Sequence, residues 1–135
     1  MRFLLGTLAM VGVLSMAWVQ RASAEDLTHT KDTPEIAIKN IKDGKAVLVD
    51  VREQKEWDAG HIEGAVLMPK SKLDVEKEAA ALMQKLDKAK IVYTHCKAGR
   101  RALACGDILK QQGFDVRPLK QGYDELLKAG FEKAK

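Results

Sequence analysis

Short apolar runs alternating with stretches of helical spacing constrain this chain's fold more than any other feature. Ala46-Val47-Leu48-Val49-Asp50-Val51 is short and almost continuously apolar, as a strand buried on both faces is. Residues 65–68 (stopped by Pro69), 91–95 and 116–119 read as further strands. Asp32-Thr33-Pro34-Glu35 joins a capping residue, a first-turn proline and an early acid, so a helix starts there. It runs through Ile36, Ile38 and Ile41 and stops at Gly44. Residues 53–59 form a short helix broken by Gly60. Residues 71–88 form a longer one, with Leu73, Ala80, Leu82, Met83 and Leu86 as its apolar positions. Another spans residues 100–112 up to Gly113, and a short one opens at Gly122. This order predicts an α/β fold, a mostly parallel sheet with helices on both faces. Pro118 puts the last strand at an edge or at its own end.

Ligands of such sheets bind beyond the carboxyl ends of the strands, and Cys96-Lys97-Ala98-Gly99-Arg100-Arg101 occupies that place between a strand and a helix. The unpaired N–H groups and dipole of the helix start favour an anion there. Lys97, Arg100 and Arg101 add positive charge. The loop therefore stabilises the Cys96 thiolate and marks it as a nucleophile. Gly99 permits the tight turn. Cys105, on the helical face of Ala102, Ile108 and Leu109, reads as a buried small hydrophobe, neither a disulfide partner nor a resolving thiol.

Residues 1–24 read as a cleaved signal peptide: Arg2, an uncharged run from Phe3 to Val19, then Ala22-Ser23-Ala24. An uncleaved anchor is the runner-up. Either way the remainder is exported, and cleavage leaves 111 of the 135 residues, enough for one core. We expect a flexible start over residues 25–31, one domain over 32–130 and a tail over 131–135. The leader holds two of the 23 basic residues and none of the 19 acids, so the mature chain is close to neutral. It has no long basic run and no basic stretch interleaved with aromatics, which argues against nucleic acid.

Loop length separates two chemistries. A cysteine phosphatase places its arginine six positions after the cysteine, and here that residue is Ala102; Arg101 comes five positions after. The tighter cup suits a sulfur carried on Cys96 better than a phosphoryl group. A phosphatase also needs a general acid, with Asp50 or Asp58 as the candidates. A phosphatase or arsenate reductase is therefore the weaker enzyme alternative, and a persulfide carrier serving a partner protein is the alternative outside catalysis.

With these motifs in order, the chain resembles the single-domain rhodaneses, and among them the small periplasmic type. The segments are Asp50-Val51-Arg52, Glu56-Trp57, Gly60-His61-Ile62-Glu63-Gly64-Ala65 up to Pro69, the Cys96–Arg101 loop, and Gly122-Tyr123. The resemblance implies a rhodanese-like sheet of five strands. It also implies sulfur transfer through a Cys96 persulfide, without metal or organic cofactor. The partners would be a small anionic donor such as thiosulfate and a thiophilic acceptor such as cyanide or a thiol. A monomeric periplasmic protein with no membrane contact after cleavage is expected. Lys97, Ala98, Gly99, Arg100 and Arg101 would line the substrate site, Arg101 matching the family's terminal loop arginine. Two departures stand out. Gln121 and Leu126 replace a frequent glycine and tryptophan around Gly122, and Lys97 stands where arginine is frequent.

Asp50, Arg52 and Glu56 read as an ion-pair set fixing a strand-to-helix turn. His61 reads as a residue that bonds backbone and shapes its loop, and Trp57 as turn packing. His95 beside Cys96 suggests a metal, but strand neighbours point to opposite faces and no ligand spacing supports a site.

Overall fold

A computed structural model describes residues 27–135; the expected signal peptide and the first residues after it lie outside them. Helix α1 (Pro34–Lys42) starts as its sequence demands. Pro34 sits in the first turn and Thr33 Oγ1 accepts the Ile36 N–H. Strand β1 (Ala46–Asp50) follows, then α2 (Gln54–Ala59), β2 (Val66–Leu67), α3 (Lys70–Leu73), α4 (Glu76–Met83), β3 (Ile91–His95), α5 (Arg100–Gln111), β4 (Asp115–Pro118) and α6 (Tyr123–Lys128).

The sheet order is β2-β1-β3-β4 and every pairing is parallel. Among the described residues it has four strands, where five were expected. Alongside β4 the chain contributes one backbone bond, from Thr30 N–H to the Pro118 carbonyl at 2.7 Å. Pro118 has no N–H to return, so no ladder forms. As predicted from that proline, β4 is an edge strand that ends on it.

The two faces of the sheet carry two cores, as the period of a strand requires. Val49, Val51, Val92 and Cys96 pack with Leu73, Ala79, Cys105 and Leu109 under α3, α4 and α5. Ala46, Leu48 and Tyr93 pack with Ala37, Leu119 and Leu126 under α1 and α6. Each fully buried leucine contributes about 1.5–3 kcal/mol.

Three details differ from the sequence reading. The helix expected over 71–88 is two helices, because β-branched Val75 is extended (φ −106°, ψ 115°) after Leu73 has entered the core. That break rotates α4, so Ala79 is buried and Ala80 is exposed. Ile36 is likewise exposed, and Ala37 takes the inward position. The expected loose start and tail are both bonded to the domain. Ile62 and Lys133 form an antiparallel bridge, and Glu63 N–H donates to the Glu132 carbonyl at 2.8 Å. Among the described residues no helix is long and apolar enough to cross a membrane.

Candidate active site

β3 delivers Cys96 to the sheet's carboxyl edge, and the loop turns back into α5 at Gly99. Gly99 caps that helix with φ 89° and ψ −15°, in the left-handed region that glycine enters without strain. A Cβ here would also lie 3.0 Å from His29 Nε2 and 3.0 Å from the Lys120 carbonyl. In this conformation the Gly99 N–H donates to Cys96 Sγ at 3.0 Å. The sulfur is thus a hydrogen-bond acceptor at the positive end of a helix, the environment that suits a thiolate or a persulfide. Cys96 is 1% exposed, so it forms the floor of the loop.

The segment before α6 buttresses that floor. Tyr123 N–H donates to the Cys96 carbonyl at 3.0 Å. Gly122 lies so close to Lys97 that a Cβ would fall on the Lys97 carbonyl oxygen. Lys97, Ala98 and Arg100 are exposed at the rim. Ala102, the position a phosphatase would fill with arginine, is buried in the core, and its carbonyl accepts Thr94 Oγ1–H at 2.9 Å.

Arg101 was expected to bind substrate, but its guanidinium is already engaged. Nη1 donates to Glu56 Oε1 at 2.6 Å and Nη2 to Glu56 Oε2 at 3.0 Å. These bonds hold the Glu56 carboxyl down at about 2. The single ion-pair set expected from Asp50, Arg52 and Glu56 is therefore two sets. Asp50, fully buried, takes Arg52 Nη2 at 2.8 Å and Nε at 3.1 Å, while Arg52 Nη2 also donates to the Gly60 carbonyl at 2.8 Å. The Arg52 guanidinium lies 4.1 Å from the centre of the Tyr123 ring. Arg52, Glu56, Gly60, Lys97, Tyr123 and Asp124 enclose most of a cleft of about 230 Å³ beside the loop.

His61 packs against its own turn. Its ring stacks on Trp57 at 3.7 Å between centroids, and Nδ1 lies 3.2 Å from the Trp57 carbonyl. His95 is fully buried on the opposite face from Cys96, with Nε2 3.6 Å from Asp50 Oδ2 and, among the described residues, no hydrogen-bond partner for either ring nitrogen. Burial pushes it down to about 4, so the ring is neutral. Cys105 is an unpaired buried thiol pushed up to about 12 by burial. Among the described residues no group of three or more histidine, cysteine or acidic side chains converges as a metal site would.

One contact at the loop had no counterpart in the sequence reading: His29 Nε2 lies 2.9 Å from the Gly99 carbonyl. No local pattern signals it, because the two residues are 70 positions apart. The arrangement as a whole offers a recessed sulfur nucleophile, a backbone donor aimed at it and cations at the rim.

Residues 33–129 match the family model described as the rhodanese-like domain. The chain is 40% identical over 78 residues to MoeZ of Mycobacterium tuberculosis, named as an adenylyltransferase/sulfurtransferase, covering 58% of this chain and 19% of MoeZ. It is 30% identical over 108 residues to YrkF of Bacillus subtilis, named as a sulfur carrier protein, covering 76% of this chain and 55% of YrkF. The chain thus spans less than two thirds of either relative. A human single-domain sulfurtransferase superposes with a TM-score of 0.60 at 29% identity, over 76% of this chain and 97% of that one. A rhodanese-related protein of Thermoplasma volcanium superposes with a TM-score of 0.64 at 22% identity, over 79% and 98%, a likeness of fold.

Proposed function

The chain belongs to the rhodanese-like family, and from that membership we propose that it is an exported sulfurtransferase carrying sulfane sulfur on Cys96. The observation that carries this reading is the Gly99 N–H donated to Cys96 Sγ at 3.0 Å, in a six-residue loop at a helix start.

The Cys96 thiolate attacks the outer sulfur of thiosulfate or a similar anionic donor. A sulfur–sulfur bond forms as the donor's own sulfur–sulfur bond breaks, and sulfite leaves with the electron pair. The persulfide's terminal sulfur carries the negative charge, which the Gly99 N–H and its neighbours in the loop stabilise. A nucleophilic acceptor, cyanide or a thiol, then bonds to that outer sulfur. The Cys96–sulfur bond breaks and its electron pair returns to the thiolate. Because the sulfur is recessed, a donor or acceptor reaches it end-on. Lys97 and Arg100 at the rim draw in the anion. Arg101, the last member of the loop, is held against α2 by Glu56 and joins Lys97 and Arg100 in the charge that meets the donor. Neither half-reaction requires a metal or an organic cofactor.

The uncharged run before Ala22-Ser23-Ala24 supports action in the periplasm. A thiosulfate-to-cyanide assay tests the reading. Turnover retained in Cys105→Ser and lost in Cys96→Ser supports it. Phosphate-ester hydrolysis without sulfur transfer overturns it, and a Cys96 persulfide that forms but is never passed to small acceptors favours a carrier.

A further inference from the structure

Residues 27–32 do more than lead into the domain. The Asp32 carboxylate accepts Tyr93 Oη–H at 2.6 Å and Arg117 Nη1–H at 2.9 Å, tying the segment to β3 and β4. Thr30 is tied to Pro118, and Leu27 fills the space beside Gly106 on α5, where a Cβ would lie 2.9 Å from Leu27 Cδ2. His29 stands between these anchors, so its part-buried ring is held against the loop with little freedom left. Its Nε2 is 2.9 Å from the Gly99 carbonyl, which among the described residues otherwise accepts only a long bond from Leu103 N–H at 3.3 Å.

Resting on the assignment of Cys96 as the sulfur carrier, we propose that His29 is a positioning residue for the persulfide loop. Its Nε2–H holds the Gly99 carbonyl and thereby fixes the residue whose own N–H meets Cys96 Sγ. Gly99 is the loop member with the widest backbone freedom, and the αL conformation it adopts is one it leaves easily. A donor aimed at a reacting atom is effective only when it is already in place. The imidazole and the Lys120 carbonyl both lie 3.0 Å from where a Gly99 Cβ would stand, so the residue is closely packed on that side. Because Gly99 offers a carbonyl, His29 must donate, and its Nε2 therefore carries the proton.

Two variants separate the hydrogen bond from the bulk of the ring. His29→Phe keeps a ring and has no donor; His29→Gln has a donor and no ring. Three readouts are taken on each variant and on the unmodified mature chain. They are the rate of persulfide loading from thiosulfate, the pH profile of Cys96 alkylation by iodoacetamide in a Cys105→Ala background, and the thermal midpoint. Loss of one neutral hydrogen bond corresponds to roughly a tenfold change. We expect His29→Phe to load about tenfold more slowly, with its alkylation profile displaced to higher pH, and His29→Gln to recover most of both. His29→Phe behaving like the unmodified chain overturns the proposal, as does equal impairment of the two variants at matched thermal midpoints. Failure of the unmodified chain to load sulfur counts against the sulfurtransferase reading, while the alkylation profile still decides the role of His29.

Discussion

Arg101 and Glu56 face each other fork to fork, with both carboxylate oxygens bonded at 2.6 and 3.0 Å, across the gap between the loop and α2. The pair is about three-tenths exposed on each side, so its contribution to stability is small, about 0–1 kcal/mol. Its larger effect is on charge at the loop mouth. Arg101→Ala leaves the Glu56 carboxylate unpaired beside an anionic donor, and Glu56→Gln leaves the guanidinium free to meet one. Sulfur transfer with thiosulfate should show a KM raised about tenfold in Arg101→Ala and lowered about two- to fivefold in Glu56→Gln. A KM lowered in Arg101→Ala and raised in Glu56→Gln, or unchanged in both, would remove Arg101 from donor selection.

The same pair has an acid signature. Glu56 is held at about 2 against 4.5 when unfolded. Its stabilising contribution is complete above 4.5 and is lost as pH falls through about 2. His95 acts in a different window. Its folded value is near 4 and its unfolded value near 6.5, so the unfolded chain takes up the proton first. Stability therefore falls as pH drops from 6.5 towards 4, by up to roughly 3 kcal/mol. Urea midpoints measured across that range should show the slope in the native chain and a much flatter one in His95→Leu, which has no proton to gain.

Cys105 is a packing residue in the core with Val49, Ala102 and Leu109. Cys105→Ala should cost about 1 kcal/mol in urea unfolding and leave the rate of sulfur transfer unchanged. Loss of turnover in that variant would make Cys105 a participant in the chemistry.

Gly122 has room for a hydrogen and nothing larger, because the Lys97 carbonyl occupies the place of a Cβ. Gly122→Ala should cost about 1–3 kcal/mol and displace the Cys96 loop, with transfer falling more than stability alone explains. Crystal structures of the variant would show the shift at Lys97 and Ala98.

Much of this was legible from local patterns. The apolar runs marked four strands because a parallel sheet buries both faces of each. The Thr33 cap and Pro34 marked the start of α1, and Pro118 the edge. The Cys96 loop was legible because a reactive thiol needs a helix start and cations near it in sequence. What local patterns miss is long-range pairing. Glu56 was grouped with its neighbours Asp50 and Arg52, but its partner is Arg101, brought there by the β1–β3 pairing. The His29–Gly99 contact is hidden in the sequence for the same reason. The break at Val75 leaves no local sign, because Leu73 and Leu82 fit one helix or two equally well by spacing.

Whether Cys96 carries sulfur is read from the intact mass of the mature chain after incubation with thiosulfate. One sulfur atom should be added to the native chain and to Cys105→Ser and none to Cys96→Ser, and cyanide should remove it. A native chain that gains no mass, or a Cys96→Ser chain that still gains it, would mean that Cys96 is not the sulfur carrier.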